Sequence, residues 1–346
     1  MTWKYRDSVL VLTTLAFVPT MVARLSISTL VPLIRSDFGV SNGLVGLALS
    51  GMWAAYALVQ FPSGVLGDRF GERRVILAAV GLTGVASVLR AILPGLAAFG
   101  NLVIVLGAGA GLHYTVATTF LTDQFDDVGR AIGVHVAGGP LAGLVAPPAA
   151  AAIGVQYGWR CAMGFTAIVA LATFILFAWR IRPTAPSRPE QSIRDQVDLR
   201  AHLEVLGRPN IALRQSSPSL GRSPGRPPRR SCRRFSPSTR DTRRQPRLFS
   251  LFFLVNGLSM PVTGWLSDRL DRDSVATMTM VAGVTGYSAI VLTNSLAGVT
   301  LSVVVMGVAM SWGALLQSRS INLLPAAEQN VGDGVIRTVY MTGGAT

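Results

Sequence analysis

Windows of about twenty largely apolar residues, the length needed to cross a bilayer as a helix, recur along most of this chain. They predict helices at about 8–34, 41–66, 74–94, 97–122, 129–155 and 159–181, close enough in sequence to form one bundle. The first window lacks a small-residue cleavage site and reads as a retained helix, not a removable signal peptide. After Arg182 the pattern gives way to a polar stretch reaching about Asn210. It resumes from Leu248, with spans at about 248–267, 274–294 and 297–318 and a last segment opening near Gly332. The fold class expected is an all-α integral membrane protein.

Composition agrees. Half of the residues are hydrophobic and 14% are charged, against about a quarter charged in soluble domains. The net charge of +14 invites a nucleic-acid reading. However, residues 212–247 hold eleven arginines against one acid, Asp241, and supply +10 of it. A basic balance of that origin says nothing about DNA, and no nucleic-acid partner is expected. Positive residues of the connections gather on one side (Lys4, Arg6, Arg69, Arg73, Arg74, Arg130, Arg180, Arg182), with Arg35, Arg90 and Arg160 on the other. The positive-inside rule then places the N-terminus in the cytoplasm, in a multi-pass protein of the cell membrane. Cys161 and Cys232 fall near opposite faces, so neither a disulfide nor a metal cluster is expected.

Two connections share a frame. Residues Gly64 to Arg74 read GVLGDRFGERR, and Gly264 to Asp273 read GWLSDRLDRD, each between a helix end and a helix start. Glycine lets neighbouring helices approach, aspartate accepts hydrogen bonds from helix N-terminal amides, and arginine suits the cytoplasmic surface. Two copies in matching places imply two homologous halves. On this repeat the chain resembles the major facilitator superfamily, whose loop between the second and third helices has an echo between the eighth and ninth.

The resemblance implies two six-helix halves and a conformational latch at these loops. Gly64, Asp68, Arg69, Gly71 and Arg73 match the first copy, and Gly264, Asp268 and Arg269 the second. Glu72 stands at a place usually basic, and Asp271 replaces the glycine equivalent to Gly71; both departures weaken the second latch more than the first. GGPLAG at 138–143, with Gly139, Pro140 and Gly143, is similar to the family's fifth-helix signature, commonest among proton-coupled exporters. YGWR at 157–160 also resembles the family, though its plainer role is an interfacial aromatic anchor. The glycine run at 107–111 lacks the arginine that precedes it in many exporters.

A charge within the hydrocarbon region costs on the order of 3 kcal/mol or more and asks for a reason. Arg24 falls in the outer half of the first helix. It either binds an anionic substrate at a central cavity, or snorkels outward or pairs with Asp37 or a lipid headgroup. Arg90 reads as a snorkelling side chain. His113, Tyr114 and His135 are candidates for the substrate pathway, set against the commoner role of a lone histidine as a satisfied core donor. Gln317 and Arg319 end the span at 297–318 and face either the pathway or the cytoplasm. No interior carboxylate stands in the intact spans, so the usual acidic proton carrier is not evident.

The family implies a seventh helix before Leu248, yet the tract at 212–247 has no apolar periodicity and cannot cross a bilayer. Its Arg, Ser, Pro and Gly bias suits a frameshift near residue 212 with compensation near 247. Without that helix, Arg269 and Arg272 would land on the outer face. The expected organisation is an N-terminal bundle at 1–181, a cytoplasmic linker at 182–211, the aberrant tract, and a partial second half at 248–346 with the eleventh and twelfth helices largely missing. The function implied is alternating-access transport of a small solute, with Arg24 favouring an anion and H+ or Na+ as coupling ion, by antiport or organic-anion transport. The alternative is a non-transporting sensor, scaffold or degenerate product with a basic, lipid-binding linker. Neither a P-loop nor zinc-ligand spacing is present, and neither an enzyme nor a cofactor is expected.

Overall fold

The computed structural model describes residues 4–190, 245–293, 295–313, 315 and 329–343. The aberrant tract up to residue 244, most of the linker, Cys232, Gln317 and Arg319 lie outside the described residues. The regular elements among the described residues are helices: α1 Tyr5–Phe38, α2 Asn42–Phe70, α3 Glu72–Ile92, α4 Leu96–Thr122, α5 Val128–Tyr157 and α6 Trp159–Arg180. Beyond the linker come α7 Gln245–Arg269, α8 Arg272–Leu292, α9 Leu296–Ala309 and α10 Gln329–Gly343. Eight of these, α1 to α8, are long and apolar enough to cross a membrane, and α9 is a shorter apolar helix. α7 starts three residues before the expected limit, and α9 stops well short of 318.

The helices end where the local chemistry stops them. α1 closes on Gly39 in the left-handed conformation, and α2 starts at Ser41, whose hydroxyl accepts from the Leu44 N–H. The first repeated frame is therefore mostly helix and not loop. Gly64, Asp68 and Arg69 ride the last turns of α2, and Gly71 alone separates α2 from α3. Gly71 has φ +84°, and a Cβ there would stand 2.6 Å from the Thr184 carbonyl oxygen, so glycine is required twice over. In the second frame Asp271 takes an extended φ of −67° and caps α8 by accepting from the Ser274 N–H.

The first half closes on itself at the face where α1 begins. The Arg73 guanidinium donates to the carbonyls of Ile181 (2.7 Å) and Ala178 (2.6 Å), capping α6. The Arg73 N–H donates to Thr184 Oγ1, the Arg188 N–H to the Asp68 carbonyl, and the Arg182 N–H to the Tyr5 hydroxyl. At the opposite face Asp37 accepts from Trp159 Nε1 (3.1 Å) and pairs with Arg160 (2.6 Å). Trp159 is buried against Phe38 and Phe99, so it joins α1 to α6 and is not a lipid-facing anchor; Tyr157 is the exposed residue of that motif.

The second half meets the first along two seams, α5 with α7 and α2 with α10. In the first seam Gly129 and Gly264 bring their backbones into direct contact, and any Cβ on Gly264 would strike the Gly129 carbonyl. Gly133 lies against Met260, and Gly143 against Phe253. In the second seam Gly334 packs on the Gln60 backbone, and Thr338 Oγ1 donates to the Ala57 carbonyl at 3.0 Å.

These seams fix the direction of α7. Its C-terminal end sits beside the start of α5, so the second frame lies on the same face as the first. The loop of Arg269 and Arg272 therefore lies where the family resemblance implies, and not at the outer face to which counting crossings without a seventh helix would assign it.

Candidate functional site

The expected pathway residues converge. Phe17, Met21 and Arg24 recur on one stripe of α1, and Trp53, Tyr56 and Gln60 on one stripe of α2. Side chains of a helix lean towards its N-terminus, which carries the Arg24 guanidinium back along α1. There Nε donates to the Thr20 carbonyl and Nη2 to Met21 Sδ, both at 3.1 Å. The guanidinium stands 4.1 Å from the centre of the Tyr56 ring and 5.1 Å from that of Trp53. Arg24 is buried, and Asp37 is engaged with Arg160, so Arg24 neither snorkels nor pairs with that acid.

Small residues draw the neighbouring helices in. Gly107 and Gly111 of α4 lie against the α2 backbone, and Gly138 and Gly139 of α5 against Thr14, Phe17 and Met21 of α1. Pro140 faces Gly257 of α7. Phe17 consequently stacks on His113 (5.6 Å, 12°) and lies 5.1 Å from His135, while the two imidazoles are 5.5 Å apart. Tyr114 meets Phe17 edge-on and stands 6.0 Å from His135. Both histidines are fully buried, and among the described residues none of their four ring nitrogens has a hydrogen-bond partner.

Three contributors escaped sequence reading. Arg337 of α10 sets its guanidinium 3.5 Å over the Tyr114 ring, carrying a second, half-buried cation in from the other half. Asp333, one turn earlier, is a fully buried carboxylate in a segment too short to register as an apolar span. Their i, i+4 acid–base spacing was the available signal. Gln60 accepts from Thr115 Oγ1 at 3.0 Å, and among the described residues its buried Nε2, like Nη1 of Arg24, has no hydrogen-bond partner. Buried donors of this kind require water or a polar ligand.

The repeated frames stand apart from this centre, at the face where α1 begins. The Asp268 carboxylate accepts from the N–H groups of Gly129 (3.0 Å) and Arg130 (2.8 Å), binding the positive end of α5. This is the inter-half contact, made by the copy expected to be weaker. Arg73 of the first copy is spent within its own half, Arg69 lies over the Phe70 ring, and Arg269 over Trp265. Asp123, just beyond α4, has its carboxyl pushed up to about 6, first by burial and then by the Glu72 and Asp68 carboxylates. Arg90 is buried, donating to the Ala86 carbonyl and Ser87 Oγ, which corrects the snorkelling expectation. Cys161 is an exposed free thiol.

Several curated proteins similar to this chain are described as transporters or resistance proteins. A probable sulfoacetate transporter of Cupriavidus necator is 30% identical over 178 residues, covering 51% of this chain and 41% of that protein. A hexuronate transporter of Bacillus subtilis is 25% identical over 189 residues, covering 54% and 44%. A multidrug resistance protein of Escherichia coli is 28% identical over 163 residues, covering 46% and 42%. The chain thus spans less than half the length of these curated relatives. Among solved structures, a human organic anion transporter superposes with a TM-score of 0.73 at 16% identity, covering 98% of this chain and 91% of that one. A proton:xylose symporter superposes at 0.69 with 16% identity, covering 98% and 86%. Both share the fold. The Major Facilitator Superfamily model matches residues 13–231, and with the repeated frames and the two helix seams it settles that this chain belongs to the major facilitator superfamily.

Proposed function

We propose that this chain serves secondary, alternating-access transport of a small organic anion across the cell membrane, with its N-terminus in the cytoplasm. The observation that carries the reading is the pair of guanidiniums, Arg24 buried and Arg337 half-buried, supplied by opposite halves around Tyr56 and Tyr114. With Asp333 as the one described carboxylate beside them, a cation is left for an anion to offset, and the planar guanidinium fork suits carboxylate or sulfonate oxygens. Gln60 Nε2 adds a donor beside them. Two relatives are described as carriers of sulfoacetate and hexuronate, both organic anions, in keeping with this choice. The second frame acts as the latch: Asp268 on the start of α5 holds the cytoplasmic face closed, and its release opens that face.

The test is binding of glucuronate, a hexuronate, and of sulfoacetate to the purified protein by calorimetry. Arg24→Ala and Arg337→Ala should each abolish binding of both anions while the protein stays monodisperse. Full binding by either variant would refute the assignment, and preferential binding of a cationic or neutral drug would favour a multidrug carrier instead.

A further inference from the structure

Resting on that anion reading, we infer that His113 and His135 form a shared single-proton site that matches the charge of the bound solute, so that a dianion is carried with one proton and a monoanion with none.

The charges facing the pair can be named helix by helix. α1 brings Arg24, α2 the neutral phenol of Tyr56, α4 that of Tyr114, and α10 brings Arg337 and Asp333. The titratable side chains described on α7 are Asp268 and Arg269, at the far face, and those of α6 stand at its two ends. With both imidazoles neutral, the two guanidiniums and one carboxylate described at this centre sum to +1. A monoanion brings that sum to zero. A dianion would leave −1 within the membrane span, and uncompensated charge at that depth costs several kcal/mol.

The imidazoles are the neutral groups in the cluster whose ring nitrogens can accept a proton. Those nitrogens are buried, and among the described residues none of them has a hydrogen-bond partner. At 5.5 Å between centroids, two imidazolium charges would repel strongly, which limits the pair to one proton. Phe17, stacked on His113 and tilted on His135, fixes both rings and keeps water from their faces. The step is a protonation only. One N–H bond forms on one imidazole, the proton comes from the solution that the site faces, and it leaves with the dianion on the other side.

Isothermal calorimetry in buffers of different ionisation heat counts protons taken up per anion bound. Sulfoacetate, carrying a sulfonate and a carboxylate, serves as dianion and glucuronate as monoanion. The expected result near pH 7 is about one proton per sulfoacetate and none per glucuronate. By linkage, sulfoacetate affinity then falls tenfold for each pH unit of increase while glucuronate affinity stays level. The double substitution His113→Asn with His135→Asn should lose both the proton uptake and the pH slope for sulfoacetate. If that variant is not monodisperse, the two-anion comparison on the unaltered protein decides alone. Equal proton uptake for the two anions, or uptake surviving in the double variant, overturns the inference and leaves the anion reading intact. Binding of neither anion removes both.

Discussion

Replacing Asp268 by Asn is the sharpest probe of how the halves are held at one face. The carboxylate accepts two N–H groups at the first turn of α5, 3.0 and 2.8 Å away. A hydrogen bond to a charged group contributes about 1.5–3 kcal/mol, and a negative charge at a helix N-terminus about 0.3–1 kcal/mol. Asparagine keeps one acceptor oxygen, turns an amine towards the second N–H, and loses the charge. The contact is half-exposed, so the lower end applies, and we expect a loss of about 1.4 kcal/mol, a tenfold shift towards separation of this face. Spin labels at Asp126→Cys and Leu270→Cys, in a background with Cys161 and Cys232 changed to Ser, would report the distance between the start of α5 and the end of α7. The variant should gain a population at longer distance in proportion to that shift. An unchanged distance distribution together with an unchanged melting temperature would refute the clamp.

Other positions give independent checks. Arg24→Lys keeps the charge but loses the fork and the stacking on Tyr56 and Trp53, and should weaken glucuronate binding at least about tenfold; unaltered affinity would show that charge alone suffices. Gly264→Ala drives a methyl into the Gly129 carbonyl and should cost about 1–3 kcal/mol in thermal unfolding, whereas Gly164→Ala on α6, where a Cβ meets nothing within 4 Å, should be neutral or stabilising. Equal effects would mean that the α5–α7 seam is not tight. Because the Asp123 carboxyl is pushed up to about 6, the folded state favours its protonated form. Its ionisation therefore costs stability progressively as pH rises from about 4 to about 6 and fully above. Asp123→Asn should be more stable than the unaltered protein at pH 7.5, by less than about 1 kcal/mol given its exposed position, with the advantage gone below pH 4. A pH-independent difference would remove the burial argument.

The first six helices were legible because apolar length is imposed by the bilayer and survives any detail of packing. Their ends were less so. α2 runs on through Asp68 to Phe70, since polar residues continue a helix readily once it reaches the surface and only Gly71 breaks it. Arg24, His113, Tyr114 and His135 could be picked out because each is conspicuous in apolar sequence. That they meet depends on Gly107, Gly111, Gly138 and Gly139, whose contacts are long-range and leave no local trace. Arg337 and Asp333 were missed because α10 is short and mixed in character, so a span-length window passes over it. The face of the second frame depends on the Gly129–Gly264 contact, which counting crossings along the chain does not capture.

The bonds from Arg73 to the end of α6 and from Arg182 to Tyr5 bear on biosynthesis. They join the first and last helices of the N-terminal half using residues from within that half alone. A ribosome that has delivered residue 190 has therefore released everything this bundle needs to close its ring, before α7 is made. The half should behave as an early-completed folding unit onto which later helices dock through the glycine seams of α5 and α2, with assembly following the order of synthesis.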